Sequence, residues 1–81
     1  MARLWVVATP IGNLEDLTPR AARVLAEVPV IAAESLERAK KLLSHLGLKG
    51  KRLISCREAN RRQAAGAVLE ALEAGLDVAL I

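Results

Sequence analysis

The sequence predicts an α/β fold in which helices connect the strands of a parallel sheet. Short runs of β-branched residues and leucine alternate with amphipathic stretches of helical length. The helical stretches carry start and stop signals of their own, such as Thr18-Pro19 before the first and Gly47 after the second. Strands joined by helices in this way form right-handed βαβ crossovers. The predicted class is therefore a parallel-sheet βαβαβαβ unit.

The first strand is predicted at residues 4–8 and is followed by a loop and a strong helix start. Its apolar run contains one tryptophan and two valines, which is typical of a buried strand. In the loop at residues 9–13, a proline restricts the backbone and a glycine permits its close approach to a ligand. Thr18 can cap the following helix, and Pro19 suits its first position. Ligands bind beyond the carboxyl ends of parallel strands, so this loop is the first candidate site.

The remaining elements are predicted in strict alternation. They are a helix at 19–27, a strand at 30–33, a helix at 36–46, a strand at 52–55, a helix at 59–74 and a strand from Asp77. Ser35 is the predicted cap of the second helix, and Gly47 ends it. The predicted apolar stripe of the third helix consists of Ala64, Ala65, Val68, Leu69 and Leu72.

Length and composition limit the chain to at most one domain, because 81 residues bury only a small core. The apolar fraction of 53% is high for such an interior, and residues 77–81 have the pattern of a core strand. We therefore expect an N-terminal α/β domain at residues 1–81, truncated after its fourth strand, without its C-terminal domain. A single cysteine excludes an internal disulfide and suits a reducing, cytoplasmic location. No membrane span and no metal site are expected.

Positive charge is concentrated in the middle of the chain. Residues 38–62 contain nine basic residues and one acid, whereas all other positions contain three basic and eight acidic residues. This asymmetry favours an anionic partner such as nucleic acid. The alternative is a pair of solvated helix faces.

Polar residues follow the second and third predicted strands. Glu34 could accept hydrogen bonds from ribose hydroxyls, or it could be a favourable charge at a helix start. Arg57, Arg61 and Arg62 carry planar guanidinium groups that suit phosphate, although they could equally be exposed at a helix N-terminus. The first loop lacks the G-x-G-x-x-G spacing of a dinucleotide site. Cys56 is expected to be a small, partly buried filler.

The stretch V-V-A-T-P-I-G-N-L-E-D-L-T-P-R-A, residues 6–21, resembles the opening signature of the ribosomal RNA small-subunit methyltransferase I family. This family belongs to the tetrapyrrole methylase superfamily. The resemblance continues through I-A-A-E at 31–34, K-L-L-S-H-L-G at 41–47 and the final D-V-A-L-I. It implies an S-adenosylmethionine-dependent enzyme that methylates the ribose 2′-hydroxyl of a cytidine in 16S rRNA. It also implies a homodimer whose cofactor lies in a cleft between two domains.

The resemblance assigns candidate site residues. The cofactor loop would consist of Thr9, Pro10, Ile11, Gly12 and Asn13. The substrate or RNA surface would consist of the matching positions Glu34, Ser55, Glu58 and Asn60, together with Arg57, Arg61 and Arg62. The family's usual A-E-D-T-R and S-Y-H-E-H-N are replaced by A-E-S-L-E at 33–37 and S-C-R-E-A-N at 55–60, so no catalytic residue is assigned.

Two other functions are compatible with the same residues. One is a diverged, non-catalytic paralogue that binds RNA or cofactor. The other is a tetrapyrrole methylase that acts on a small molecule. The 81 residues alone are expected to be inactive as an enzyme.

Overall fold

The computed structural model describes residues 2–10 and 13–81 and confirms the parallel α/β architecture. Its strands are β1 (Leu4–Val6), β2 (Val30–Ala33), β3 (Arg52–Ser55) and β4 (Val78–Leu80). Its helices are α1 (Pro19–Glu27), α2 (Leu36–His45) and α3 (Arg61–Glu73). Short 3-10 helices at Leu14–Asp16 and Glu58–Asn60 precede α1 and α3. The strands pair in parallel in the order β1-β4-β2-β3.

The helices begin and end where local capping chemistry stabilises their termini. The Thr18 hydroxyl accepts a hydrogen bond from the Ala21 N–H at 3.1 Å, and the Ser35 hydroxyl accepts one from the Arg38 N–H at 3.3 Å. Gly47 has a φ of 70°, in the left-handed region that glycine adopts without strain. The Leu48 N–H then donates to the Leu43 carbonyl at 2.9 Å, as in a Schellman motif. The predicted caps of α1 and α2 are therefore confirmed.

The core lies on both faces of the sheet. On one face, Leu25 and Val28 from the α1 region pack with Leu42 and Leu43 of α2 and with Ile31 of β2. On the other face, small residues of α3 pack against alternate residues of β2 and against β3 and β4. This second cluster contains Val30, Ala32, Ile54, Ala64, Ala71 and Val78. The sheet consequently separates α1 and α2 from α3.

Strand β1 is shorter and more exposed than the buried strand predicted at residues 4–8. The side chain of Val7 is buried, but Leu4 is 48% exposed and Val6 is 80% exposed. Leu4 and Val6 pair with Val78 and Leu80 of β4, which places their side chains on the α3 face. The predicted burial is confirmed for Val7 and wrong for Leu4 and Val6, because β1 is an edge strand and α3 packs against β2, β3 and β4.

Helix α3 also differs from its predicted apolar stripe. It begins at Arg61 rather than Ala59, and its buried residues are Ala64 and Ala71. Ala65 and Leu69 were predicted to face the core, but both are exposed, Leu69 by 57%. Alanine and leucine occur around much of this helix, so the sequence pattern did not identify the face that meets the sheet. Small alanine side chains allow α3 to approach the strands closely.

No helix in residues 2–10 and 13–81 has both the length and the apolar character required to cross a membrane.

Candidate functional site

A cavity of about 780 Å³ opens at the carboxyl ends of the strands. All four strand exits contribute to it, as expected when parallel strands end at the same edge of a sheet. Its lining residues are Thr9, Pro10, Leu14, Ala33, Glu34, Ser35, Arg38, Ala39, Lys41, Leu42, Arg57 and Ile81. We call this space the strand-exit cavity. Apolar side chains and a few convergent charged groups are typical of small-molecule sites.

The loop after β1 contributes Thr9 and Pro10 to the strand-exit cavity, and both residues are half-buried. Ile11 and Gly12, also predicted to bind cofactor, lie outside the described residues. The Asn13 side chain is exposed and is not among the lining groups. Its Oδ1 accepts a hydrogen bond from the Glu15 N–H at 3.0 Å and so caps the 3-10 helix. The cofactor-binding role of this loop stays a prediction.

The exit of β2 contributes Glu34 and Ser35 to the same cavity. Glu34 is exposed and immediately precedes the capping residue of α2. The carboxylate therefore lies near the positive end of the α2 dipole and also at the cavity wall. Both roles considered for Glu34 from the sequence are compatible with this position.

The loop after β3 is held by Asn60, whose side-chain amide makes two hydrogen bonds. Its Oδ1 accepts from the Arg57 N–H at 2.7 Å, and its Nδ2 donates to the Ser55 carbonyl at 3.0 Å. These bonds fix the backbone of Arg57, whose side chain lines the strand-exit cavity. Glu58 is exposed in the 3-10 helix that follows. Among the predicted RNA residues of this loop, Arg57 is the one whose side chain the fold brings to the cavity.

Arg61 and Arg62 are exposed in the first turn of α3 and do not line the cavity. The arginine cluster predicted from the sequence is therefore divided, because Arg57 lines the cavity and the other two arginines do not. Arg38 and Lys41 of α2 line the cavity instead; the sequence placed them in the basic segment 38–62 but not among the site residues. Arg38 and Lys41 are three residues apart and so lie on the same side of α2, next to the apolar positions Ala39 and Leu42. This spacing is the sequence signal that could have identified them.

Only some of the basic residues of the segment 38–62 line the strand-exit cavity. Lys40, Lys49 and Lys51 line a smaller hollow of about 260 Å³ near the end of α2 and the start of β3. The ammonium group of Lys51 donates hydrogen bonds to the carbonyls of Ala26 at 2.7 Å and Val28 at 2.6 Å. Lys51 therefore satisfies carbonyl groups at the end of α1, which is a structural role.

Metal chemistry has no candidate within the described part of the chain, because it contains no cluster of three or more His, Cys, Asp or Glu side chains placed to hold an ion. Cys56 is half-buried and packs against the α3-side core, as predicted for a filler residue.

Comparison with known proteins gives close matches over nearly the full chain. Residues 3–81 match the family model described as Tetrapyrrole (Corrin/Porphyrin) Methylases. The chain is 49% identical over 78 residues to the ribosomal RNA small subunit methyltransferase I of Pseudomonas aeruginosa. Identity to the proteins of the same name is 52% over 77 residues in Coprothermobacter proteolyticus and 44% over 78 residues in Haemophilus influenzae.

These matches cover 95–96% of this chain but only 27–35% of the relatives. The chain thus spans about a quarter to a third of the length of the curated relatives it matches. The family model matches residues 3–81, which is nearly the whole of this chain. Together with the parallel sheet and the cavity at its strand exits, this match shows that the chain belongs to the tetrapyrrole methylase family.

Proposed function

We propose that this chain is the N-terminal α/β portion of an S-adenosylmethionine-dependent methyltransferase that methylates the ribose 2′-hydroxyl of a cytidine in 16S rRNA. The observation that carries the proposal is 44–52% identity to three relatives named ribosomal RNA small subunit methyltransferase I. The strand-exit cavity supports it, since residues of all four strand exits converge there. In this proposal the small ribosomal subunit is the partner, and the complete enzyme is a two-domain cytoplasmic homodimer.

The residues of the strand-exit cavity fit the proposed cofactor. A volume of about 780 Å³ lies within the range of about 300–1,000 Å³ that small-molecule sites occupy. Pro10 and Ile81 are half-buried and offer apolar contacts for an adenine ring. The Glu34 carboxylate can accept hydrogen bonds from ribose hydroxyls. Bound S-adenosylmethionine supplies an electrophilic methyl group on a positively charged sulfur.

The chain's own contribution to such a reaction is the alignment of the two reactants. Methyl transfer requires the ribose oxygen to approach in line with the bond that breaks, and holding both reactants in place accounts for much of the rate. Thr9 and Pro10 bound one side of the cavity, and the first turns of α2 bound another. The hydroxyl proton must leave as the new bond forms, which a positioned base accelerates. No described residue is assigned that role.

A chimera tests the proposal directly. The 78 aligned residues of the Pseudomonas aeruginosa relative are replaced by those of this chain, so that every other segment of the relative is retained. We expect the chimera to transfer a labelled methyl group to small ribosomal subunits and to protect one cytidine from alkaline cleavage. A matched chimera with Thr9→Arg, which places a bulky cation in the cavity, should lose the transfer.

Two results would replace the proposal with an alternative. Transfer to a porphyrinoid but not to ribosomal subunits would favour a methylase of small tetrapyrroles. Binding of cofactor or RNA without transfer to any RNA would favour a non-catalytic paralogue. The predicted RNA contacts of Arg61 and Arg62 can be tested in the same protein, because Arg61→Glu with Arg62→Glu should weaken RNA binding and reduce its salt dependence.

A further inference from the structure

We propose that Arg38, Lys41 and Arg57 form a phosphate-binding rim on the strand-exit cavity and hold a phosphodiester of the RNA strand. This inference rests on the function proposed above and adds a contact surface to it. We call these three residues the basic rim. Arg38 and Lys41 were not among the predicted site residues, and the fold places them in the lining of the same cavity as Arg57.

The basic rim is built from two elements that other contacts hold in place. Arg38 and Lys41 are one turn apart on α2, beside Ala39 and Leu42, which are buried in the core. Arg57 comes from the loop after β3, where its backbone N–H donates to the Asn60 side chain at 2.7 Å. The backbone positions of the three cations are therefore set by the fold, while their side chains remain exposed at the cavity wall.

The charges of the basic rim are poorly compensated within the described residues. The ion pair found there joins Lys41 to Glu37 at 3.9 Å, and these side chains are 72% and 82% exposed. Such a pair contributes little, because water screens it and two long side chains must be ordered. Arg38 and Arg57 have no carboxylate at ion-pair distance in residues 2–10 and 13–81. Three cations thus line a cavity in which Glu34 is the acidic side chain.

The chemistry of the basic rim favours phosphate. Arginine presents a planar fork that binds two oxygens of a phosphate at once. The three cations would repel a positively charged sulfur, so the rim suits an anion rather than the sulfonium group of the cofactor. An RNA ribose that enters the cavity carries a phosphate on either side, and those groups stay at the mouth, where the exposed cations are. The carboxylate of the cofactor is the other possible anion, and the experiment below separates the two.

The experiment measures binding of the 81-residue chain to a fluorescein-labelled single-stranded oligocytidine as a function of salt concentration. The rim variant carries Arg38→Gln, Lys41→Gln and Arg57→Gln. The matched control removes the same charge from exposed residues outside the strand-exit cavity, with Arg20→Gln, Arg23→Gln and Lys49→Gln. Each phosphate neutralised on a single strand adds about 0.7 to the steepness of the fall of log K with log salt. Because the basic rim is proposed to hold one phosphodiester, we expect the slope of the rim variant to be shallower by about 0.7 and that of the control to change much less.

A conservative variant separates loss of the arginine fork from loss of charge. Arg38→Lys retains the cation but cannot bind two oxygens in parallel. We expect its affinity for oligocytidine to lie between those of the unaltered chain and Arg38→Gln. Equal thermal midpoints for all variants will show that the substitutions do not act by unfolding the chain.

Four results would overturn the basic rim as an RNA site. The first is that the unaltered chain shows no salt-dependent binding of oligocytidine, and the second is that the slope of the rim variant is unchanged. The third is that the control variant loses as much binding as the rim variant. The fourth is that the three rim substitutions, made in the chimera, lower its cofactor affinity and leave the oligocytidine slope unaffected. The last would assign the rim to the cofactor carboxylate. If the chimera fails to methylate RNA although its RNA binding depends on the basic rim, the proposed methyltransferase activity is refuted. The proposal that the basic rim binds RNA is then still supported.

Discussion

Lys51 connects the end of α1 to the start of β3, and its replacement by methionine should destabilise the fold. Its ammonium group donates to two carbonyls, those of Ala26 at 2.7 Å and Val28 at 2.6 Å. The carbonyls at the end of a helix have no partners within the helix, and a cation there is also favoured by the helix dipole. Lys51→Met retains most of the apolar stem and removes the donor, so it tests these hydrogen bonds rather than packing.

The expected loss of stability is the contribution of the Lys51 hydrogen bonds less the cost of ordering the lysine side chain. A hydrogen bond from a charged group contributes about 1.5–3 kcal/mol to stability in a favourable setting. Lys51 is only half-buried, and the bond to Ala26 is exposed, so water can replace part of that contribution. Ordering a lysine side chain costs up to about 2 kcal/mol. We therefore expect the free energy of unfolding to fall by about 1–2 kcal/mol, which corresponds to about 4–16 °C in the midpoint of a chain of this size.

Thermal and urea denaturation followed by circular dichroism will measure this effect. Lys49→Met is the matched control, since Lys49 is exposed two residues earlier and the same charge is removed. The control should change the free energy of unfolding by less than about 0.5 kcal/mol. Equal stabilities for the Lys51→Met and Lys49→Met variants would refute the argument that the ammonium group stabilises the end of α1.

The remaining predictions concern stability at the other described contacts. Thr18→Ala should lower the free energy of unfolding by about 1 kcal/mol through loss of the α1 cap, and Thr18→Ser should restore most of it in urea titrations. Val7→Ala should lower the free energy of unfolding by about 1–3 kcal/mol, whereas Val6→Ala should lower it by less than about 0.5 kcal/mol, because Val7 is buried and Val6 is exposed. Equal losses of stability in thermal denaturation would contradict the edge position of β1. Asn60→Ala should lower the free energy of unfolding by about 1–2 kcal/mol and should also weaken oligocytidine binding, because the backbone N–H of Arg57 loses its hydrogen-bond acceptor. If the variant binds oligocytidine as well as the unaltered chain does, Asn60 does not position Arg57 for RNA binding.

The candidate site could be predicted only in part. The parallel pattern correctly indicated that the loops after β1, β2 and β3 meet at one edge, and Thr9, Glu34 and Arg57 do line one cavity. The sequence could not show that Arg61 and Arg62 would lie across the sheet from α2, since that depends on which face α3 covers. Asn60 was predicted to contact RNA, but its described contacts hold a loop. The RNA and cofactor roles of these residues stay predictions.

The sequence by itself determined the alternation of strands and helices and the capping of α1 and α2. Thr18, Ser35 and Gly47 act on backbone groups only a few residues away, so their effect can be read locally. Only the tertiary structure decided that β1 is an edge strand with Val6 exposed, and that Arg38 lines the same cavity as Arg57. These features depend on the strand order β1-β4-β2-β3, which joins segments far apart in the chain. Burial and charge clustering are set by such distant neighbours, whereas caps and turns are set by adjacent ones.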